Sequence, residues 1–193
     1  MTRVPVCALT VVLLGAVCSP SMAQMRPGIE FRVLATTKTS TMEKELNAAA
    51  ETGFRFQSAM GGETAIGGNE VVAVVSRAEG SKGRYAYKLL ATNRTSTMEK
   101  ELQLAAEAGF EYRAQTVFSS AFGGDEVVCI LERDKDAGDA RGQYRLVATT
   151  RTSTLEKELV DAGAAGYQVL GMTVAKTALG GKELVAIMRR DRR

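Results

Sequence analysis

Histidine and tryptophan are absent from this chain. The first absence removes the commonest general acid–base near neutral pH and the commonest metal ligand. Cysteine is scarce, with Cys7, Cys18 and Cys129 alone. No grouping of cysteines and acids has metal-ligand spacing, so neither a metal nor a cofactor is expected. A strong excess of one charge is also missing. The formal net charge is +3, too small to point to a nucleic-acid partner. The apolar run over residues 4–17 is shorter than the ~20 residues a helix needs to cross a bilayer.

That run fits a secretory leader instead. Arg3 supplies a basic start, and Ser21-Met22-Ala23 places small residues where a signal peptidase reads them. Residues 1–23 are expected to be removed before Gln24. The product is then an exported protein, periplasmic or extracellular, with no stable membrane insertion. Removal takes Cys7 and Cys18 with it, so Cys129 is left without an internal disulfide partner. Packing must then supply the stability.

What is present is a repeat. Thr39-Ser40-Thr41-Met42-Glu43-Lys44-Glu45-Leu46 returns unchanged over 95–102, and again over 152–159 with Leu155 in place of Met98. The spacings are 56 and 57 residues. Gly53, Gly109 and Gly166 each precede an aromatic residue, Phe54, Phe110 and Tyr167. The pairs Gly67-Gly68, Gly123-Gly124 and Gly180-Gly181 follow, and Glu70, Glu126 and Glu183 then open apolar runs. These landmarks set repeats at 29–77, 84–133 and 142–190. Short polar linkers over 78–83 and 134–141 join them.

Each repeat reads as β-α-β-β. Phe31, Val33 and Ala35 alternate with Arg32 and Leu34, and the same alternation recurs from Tyr87 and from Tyr144. A short helix follows, with Met42, Leu46, Ala49 and Ala50 on one face. Ser40 with Glu43, Ser96 with Glu99 and Ser153 with Glu156 have capping-box spacing. The glycines at 53, 109 and 166 sit where a helix would end in a left-handed residue. A hairpin closes the repeat. Its last strand (71–75, 127–131 and 184–188) is apolar at every position, which implies burial on both faces.

The third repeat carries Tyr144-Arg145-Leu146-Val147, then Leu155-Glu156-Lys157-Glu158-Leu159, then Ala162-Gly163-Ala164-Ala165-Gly166-Tyr167-Gln168-Val169-Leu170. This resembles a family of small bacterial β-α-β-β domains of unknown function. That family's pattern is an aromatic-basic-aliphatic strand, an L-E-E-E-L helix and a G-A-E-G-W-E-L-V helix exit. Phe54, Phe110 and Tyr167 stand where its tryptophan usually stands. The resemblance implies the fold of each repeat and carries no catalytic residues with it.

The expected fold is therefore α+β, with three tandem β-α-β-β repeats packed into one compact domain. One helix can cover only one face of its sheet. The second faces are expected to pack together with the helices outside, most simply as a pseudo-threefold, barrel-like arrangement. A continuous open sheet that dimerises is the alternative.

The candidate binding residues lie at the helix starts. Lys38 with Ser40, Arg94 with Ser96 and Arg151 with Ser153 pair a cation with hydroxyls where free N–H groups favour an anion. A capping box beside a solvated cation accounts for the same pattern. The Glu-Lys-Glu triplets read as a solvated helix face, the glycine pairs as hairpin turns and Cys129 as a small core residue. No catalytic set emerges. The expected function is an exported, non-enzymatic binding or interaction module whose partner is an unknown protein or a small anionic ligand. A self-associating structural envelope protein, and thus a homo-oligomer, is the alternative. An unrecognised enzyme comes third.

Overall fold

Alternating apolar and polar residues place Ile29–Thr36 in an extended strand, β1, and the 3.6-residue spacing of Met42, Leu46, Ala49 and Ala50 winds Thr39–Glu51 into a helix, α1. Strands β2 (Arg55–Thr64) and β3 (Gly68–Ala78) complete a first unit. The second unit is β4 (Tyr85–Thr92), α2 (Thr95–Glu107), β5 (Glu111–Ser120) and β6 (Gly124–Asp134). The third is β7 (Gly142–Thr149), α3 (Thr152–Ala164), β8 (Gln168–Lys176) and β9 (Lys182–Asp191). This is the architecture of a computed structural model that describes residues 28–65, 68–92, 94–120, 124–138, 142–176 and 181–191. The leader expected over 1–23 lies outside the described residues.

Each unit makes its own three-stranded antiparallel sheet, ordered β1-β3-β2, β4-β6-β5 and β7-β9-β8. The last strand of each unit is central. The register is shared: Ile29 pairs with Ala78, Tyr85 with Asp134 and Gly142 with Asp191. Each second strand carries a bulge at the matching place, between Phe56 and Ser58, Tyr112 and Ala114, and Val169 and Gly171.

The helices end as the glycines imply. Gly53, Gly109 and Gly166 have φ of +89°, +80° and +84°. The Phe54 N–H reaches the Ala49 carbonyl at 3.1 Å and the Gly53 N–H that of Ala50 at 3.0 Å, the two bonds of a Schellman motif. Phe110 and Tyr167 repeat them. Arg77, Arg133 and Arg190 finish the cap. Each stacks on the aromatic residue at 4.6, 5.0 and 4.7 Å and donates to the carbonyl at the helix end: Thr52, Ala108 and Ala165.

The helix starts differ from expectation. Extended Lys38, Arg94 and Arg151 occupy the N-cap positions, and no side chain caps the first turn. Ser40, Ser96 and Ser153 lie inside the helix and are exposed. The physical reason is a short turn before the helix. The hydroxyls of Thr36, Thr92 and Thr149 accept the N–H of the residue two ahead, which fixes the helix two residues earlier than a serine cap would. Glu43 and Glu99 are drawn to other partners.

The layering also differs. Among the described residues the barrel and the continuous sheet are both absent: these residues form three separate sheets, and α1 and α2 lie between sheets rather than outside them. Helix α1 packs on its own sheet through Met42, Leu46, Ala49 and Ala50, and as extensively on β4 of the next unit. Helix α2 does the same with β7. Beside each helix, β2 touches β5 and β5 touches β8. The units thus form a compact serial stack. A helix covers half of its sheet's face, and the next unit's sheet covers helix and remainder together. Two-face burial follows for β6, where Val127–Leu131 are all buried, and for β9, where Val185–Met188 are. It fails for β3. Val71, Ala73 and Val75 are buried against α1, while Val72 and Val74 on the other face are only half-buried.

Ser96→Ala is therefore expected to change stability in urea by less than about 0.5 kcal/mol, the size of an ordinary surface substitution. A loss of about 1 kcal/mol would restore the serine cap.

Candidate interaction surface

The junctions between units are built on one problem. Strands β4 and β7 are sheet edges, and half of their backbone N–H groups point away from their own sheet. The preceding helix satisfies them. A Glu43 carboxylate oxygen accepts the Leu89 N–H at 2.8 Å. One turn on, the Asn47 amide accepts the Tyr87 N–H at 2.9 Å and donates to the Tyr87 carbonyl at 2.9 Å. At the second junction Glu99 accepts from Leu146 at 3.2 Å and Gln103 from Tyr144 at 3.1 Å. The longer glutamine leaves its NH2 without a partner.

The tyrosines point the other way, into the preceding unit. The Tyr87 hydroxyl accepts the Phe56 N–H at 2.8 Å, and the Tyr144 hydroxyl accepts the Tyr112 N–H at 2.8 Å. Both N–H groups sit beside the bulge of a second strand, where the ladder leaves a donor unpaired. Burial pushes all three hydroxyls, Tyr87, Tyr112 and Tyr144, above their ordinary pKa of 10.0.

A charge pair completes each junction, with its sign reversed between them. At the first, Arg55 of β2 meets Glu132 of β6 at 2.9 Å. Glu132 is the buried charged residue of the described chain. It also receives Arg113 at 2.7 Å and the Tyr87 hydroxyl at 2.8 Å. Unpaired, a carboxylate at that depth would cost several kcal/mol. At the second junction the matching positions hold Glu111 and Arg189, 3.1 Å apart. Backbones also come close: a β-carbon at Gly61 would run into the Val117 carbonyl oxygen. The Gly61 N–H instead donates to the Thr116 hydroxyl at 2.6 Å.

The two ends of the stack present the same surfaces with no unit against them. On the outer face of the first sheet Ile29, Phe31, Val33 and Met60 are 62–65% exposed. Their counterparts in the later units lie in the junctions, where Tyr87 and Tyr144 are 3% and 6% exposed. At the far end Val160 of α3 and Val169, Met172 and Val174 of β8 are 46–65% exposed. Their counterparts Asn47, Phe56, Ala59 and Gly61 lie against unit two. Of the large apolar side chains exposed on the described residues, Leu104 and Leu170 belong to neither set.

The candidate anion residues stay at their own helix starts. Lys38, Arg94 and Arg151 are exposed N-cap residues. Ser40 lines a hollow with Glu43, Lys44, Lys88 and Glu101, so that hollow carries charges of both signs. Ser96 lines another with Glu99, Lys100 and Gln103. Glu43 is half-buried and Glu99 exposed, and each forms half of a junction clamp by accepting an N–H of the next unit's edge strand. Cys129 is fully buried in the second core, and burial pushes its thiol up to about 12. Among the described residues no group of acids and cysteines can hold a metal ion, and no helix is long and apolar enough to cross a membrane. The chain matches no family model, no curated protein and no solved structure.

The buried tyrosines give the junctions a pH dependence. Their folded pKa values lie above the unfolded value of 10.0. Their contribution is complete below pH 10 and is lost as pH rises through the folded values. Stability is expected to fall above pH 10, with the phenolate absorbance of Tyr87, Tyr112 and Tyr144 appearing together with loss of the far-ultraviolet signal. Titration of all tyrosines in a chain that stays folded would contradict their burial in the junctions.

Proposed function

We propose that the protein is an exported, non-enzymatic protein–protein interaction module that works through the two ends of its stack. In this reading the three units are copies of one β-α-β-β repeat, added by the same step each time. The ends are then the two halves of the step left open. One observation carries the proposal: most of the exposed large apolar side chains among the described residues gather on the end faces, Ile29, Phe31, Val33 and Met60 on one and Val160, Val169, Met172 and Val174 on the other. Contiguous exposed apolar surface favours a protein partner over a small anion. The buried charges around Glu132 do not argue for chemistry. Their reversed counterpart, Glu111 with Arg189, makes them part of how units meet. Export rests on the basic start, apolar run and Ser21-Met22-Ala23 of the leader.

Two measurements test this. Protein recovered from its native host should begin at Gln24 and lie outside the cytoplasm; a retained Met1 contradicts export. Capture from the host's envelope, with the mature chain as bait, should lose every specific partner when Val33→Thr and Val174→Thr are combined. The same capture should be unaffected by Leu104→Ser. Partners that follow Leu104 instead would place the working surface on the side of the stack.

A further inference from the structure

We infer that the partner of each end face is the opposite end face of a second copy of this chain, so that the protein associates head to tail. This deepens the reading of the ends as interaction surfaces and rests on it. In a stacked array the terminal units need polar outer faces to remain single molecules. Here both outer faces are apolar, and they are not two unrelated patches. The first sheet offers the surface that β4 and β7 offer at the internal junctions. Helix α3 with β8 offers the surface of α1 with β2 and of α2 with β5. The complement of each end already exists, at the other end of the same chain.

The polar positions agree with this pairing. Glu156 of α3 stands where Glu43 and Glu99 stand, and it has no partner among the described residues. Its counterpart donor, the outward N–H of Val33 on edge strand β1, is likewise unpaired there. Docking joins the two. Where the internal junctions set Asn47 against Tyr87 and Gln103 against Tyr144, the ends set Val160 against Phe31. Both members have become apolar, which keeps the contact complementary. Where the internal junctions carry Arg55–Glu132 and Glu111–Arg189, the ends carry Gln168 and Ser76, a neutral pair without repulsion.

The differences also set the strength. Phe31 brings no hydroxyl to the Val169 N–H beside the last bulge, and the amide clamp and the charge pair are both missing. The end-to-end contact is therefore weaker than the internal junctions and reversible. It is also heterologous, with different surfaces on the two partners, so it continues into rings or open filaments rather than stopping at a symmetric dimer.

The test uses the chain from Gln24 to Arg193 in analytical ultracentrifugation up to about 1 mM, where weak association is still populated. The wild-type chain should show a sedimentation coefficient that rises with concentration past the dimer. Phe31→Lys, which blocks the first face, and Met172→Lys, which blocks the last, should each be monomeric at every concentration. Both positions are exposed, so melting temperatures should match wild type and exclude misfolding. Mixed in equal amounts, the two variants should form a 1:1 dimer and nothing larger, because each retains the face the other has lost. A wild-type monomer throughout the range overturns the proposal, as does a symmetric dimer that persists in either single variant. If the chain is monomeric while end-face variants still abolish capture of another protein, self-association fails and the interaction-module reading stands.

Discussion

The edge of a β-sheet cannot be buried against another unit while its outward N–H groups lack acceptors. In this chain that constraint places everything else. Strands β4 and β7 have one free edge each, and a carboxylate and an amide one helical turn apart, Glu43 with Asn47 and Glu99 with Gln103, reach those edges. To do so, α1 and α2 must lie between consecutive sheets. Once they lie there, the central strands β6 and β9 are covered on both faces, whereas β3 is covered on the α1 face alone among the described residues. The same geometry turns Tyr87 and Tyr144 toward the bulges of the preceding unit, so each junction is fastened in both directions. The first two cores are each shared between consecutive units, whereas the third is built from unit three alone. The first core takes Met42, Leu46 and Val71 from one unit and Tyr87, Val128 and Ile130 from the next. Cooperative unfolding of the whole stack follows from that sharing.

Three nearly identical helices pose a second problem, since any of them has the shape to dock on any following strand. The reversed charge pairs answer it. Arg55 belongs with Glu132, and Glu111 with Arg189. Docking unit three directly on unit one would set Arg55 against Arg189. Such a repulsive element gives order to units that shape alone does not distinguish. The junctions are not equal in quality. The first satisfies Asn47 fully, whereas the second buries the Gln103 amide nitrogen and the Gln115 amide without partners. A buried unsatisfied polar group costs about 1–3 kcal/mol, so the second junction is the weaker.

Much of each unit was legible in the sequence. Period-two alternation marked the strands, the spacing of Met42, Leu46 and Ala49 marked the helix, and Gly53, Gly109 and Gly166 marked its end. Those signals are local, and local geometry decides them. The layering was not legible because Glu43 satisfies two rules at once. It stands three residues after Ser40, as a capping-box acid does, and it also faces the next unit's edge. Spacing within one helix cannot separate these, and the edge strand 46 residues away decides. The last strand showed two-face burial correctly for β6 and β9, yet what covers the second face is a helix from another unit. The junction charges do not show in the features the three units have in common. The signal lay in the differences: Arg55 becomes Glu111, and Glu132 becomes Arg189.

Amide hydrogen exchange tests the account most directly, because the same strand positions occur with and without a preceding helix. At dilutions where the chain is a single molecule, the N–H groups of Tyr87, Leu89, Tyr144 and Leu146 should exchange only when the whole stack opens. Those of Phe31 and Val33, at the matching places in β1, should exchange orders of magnitude faster. Equal protection of all six, or fast exchange at Leu89 and Leu146, would contradict a stack held together by each helix clasping the edge of the next unit's sheet.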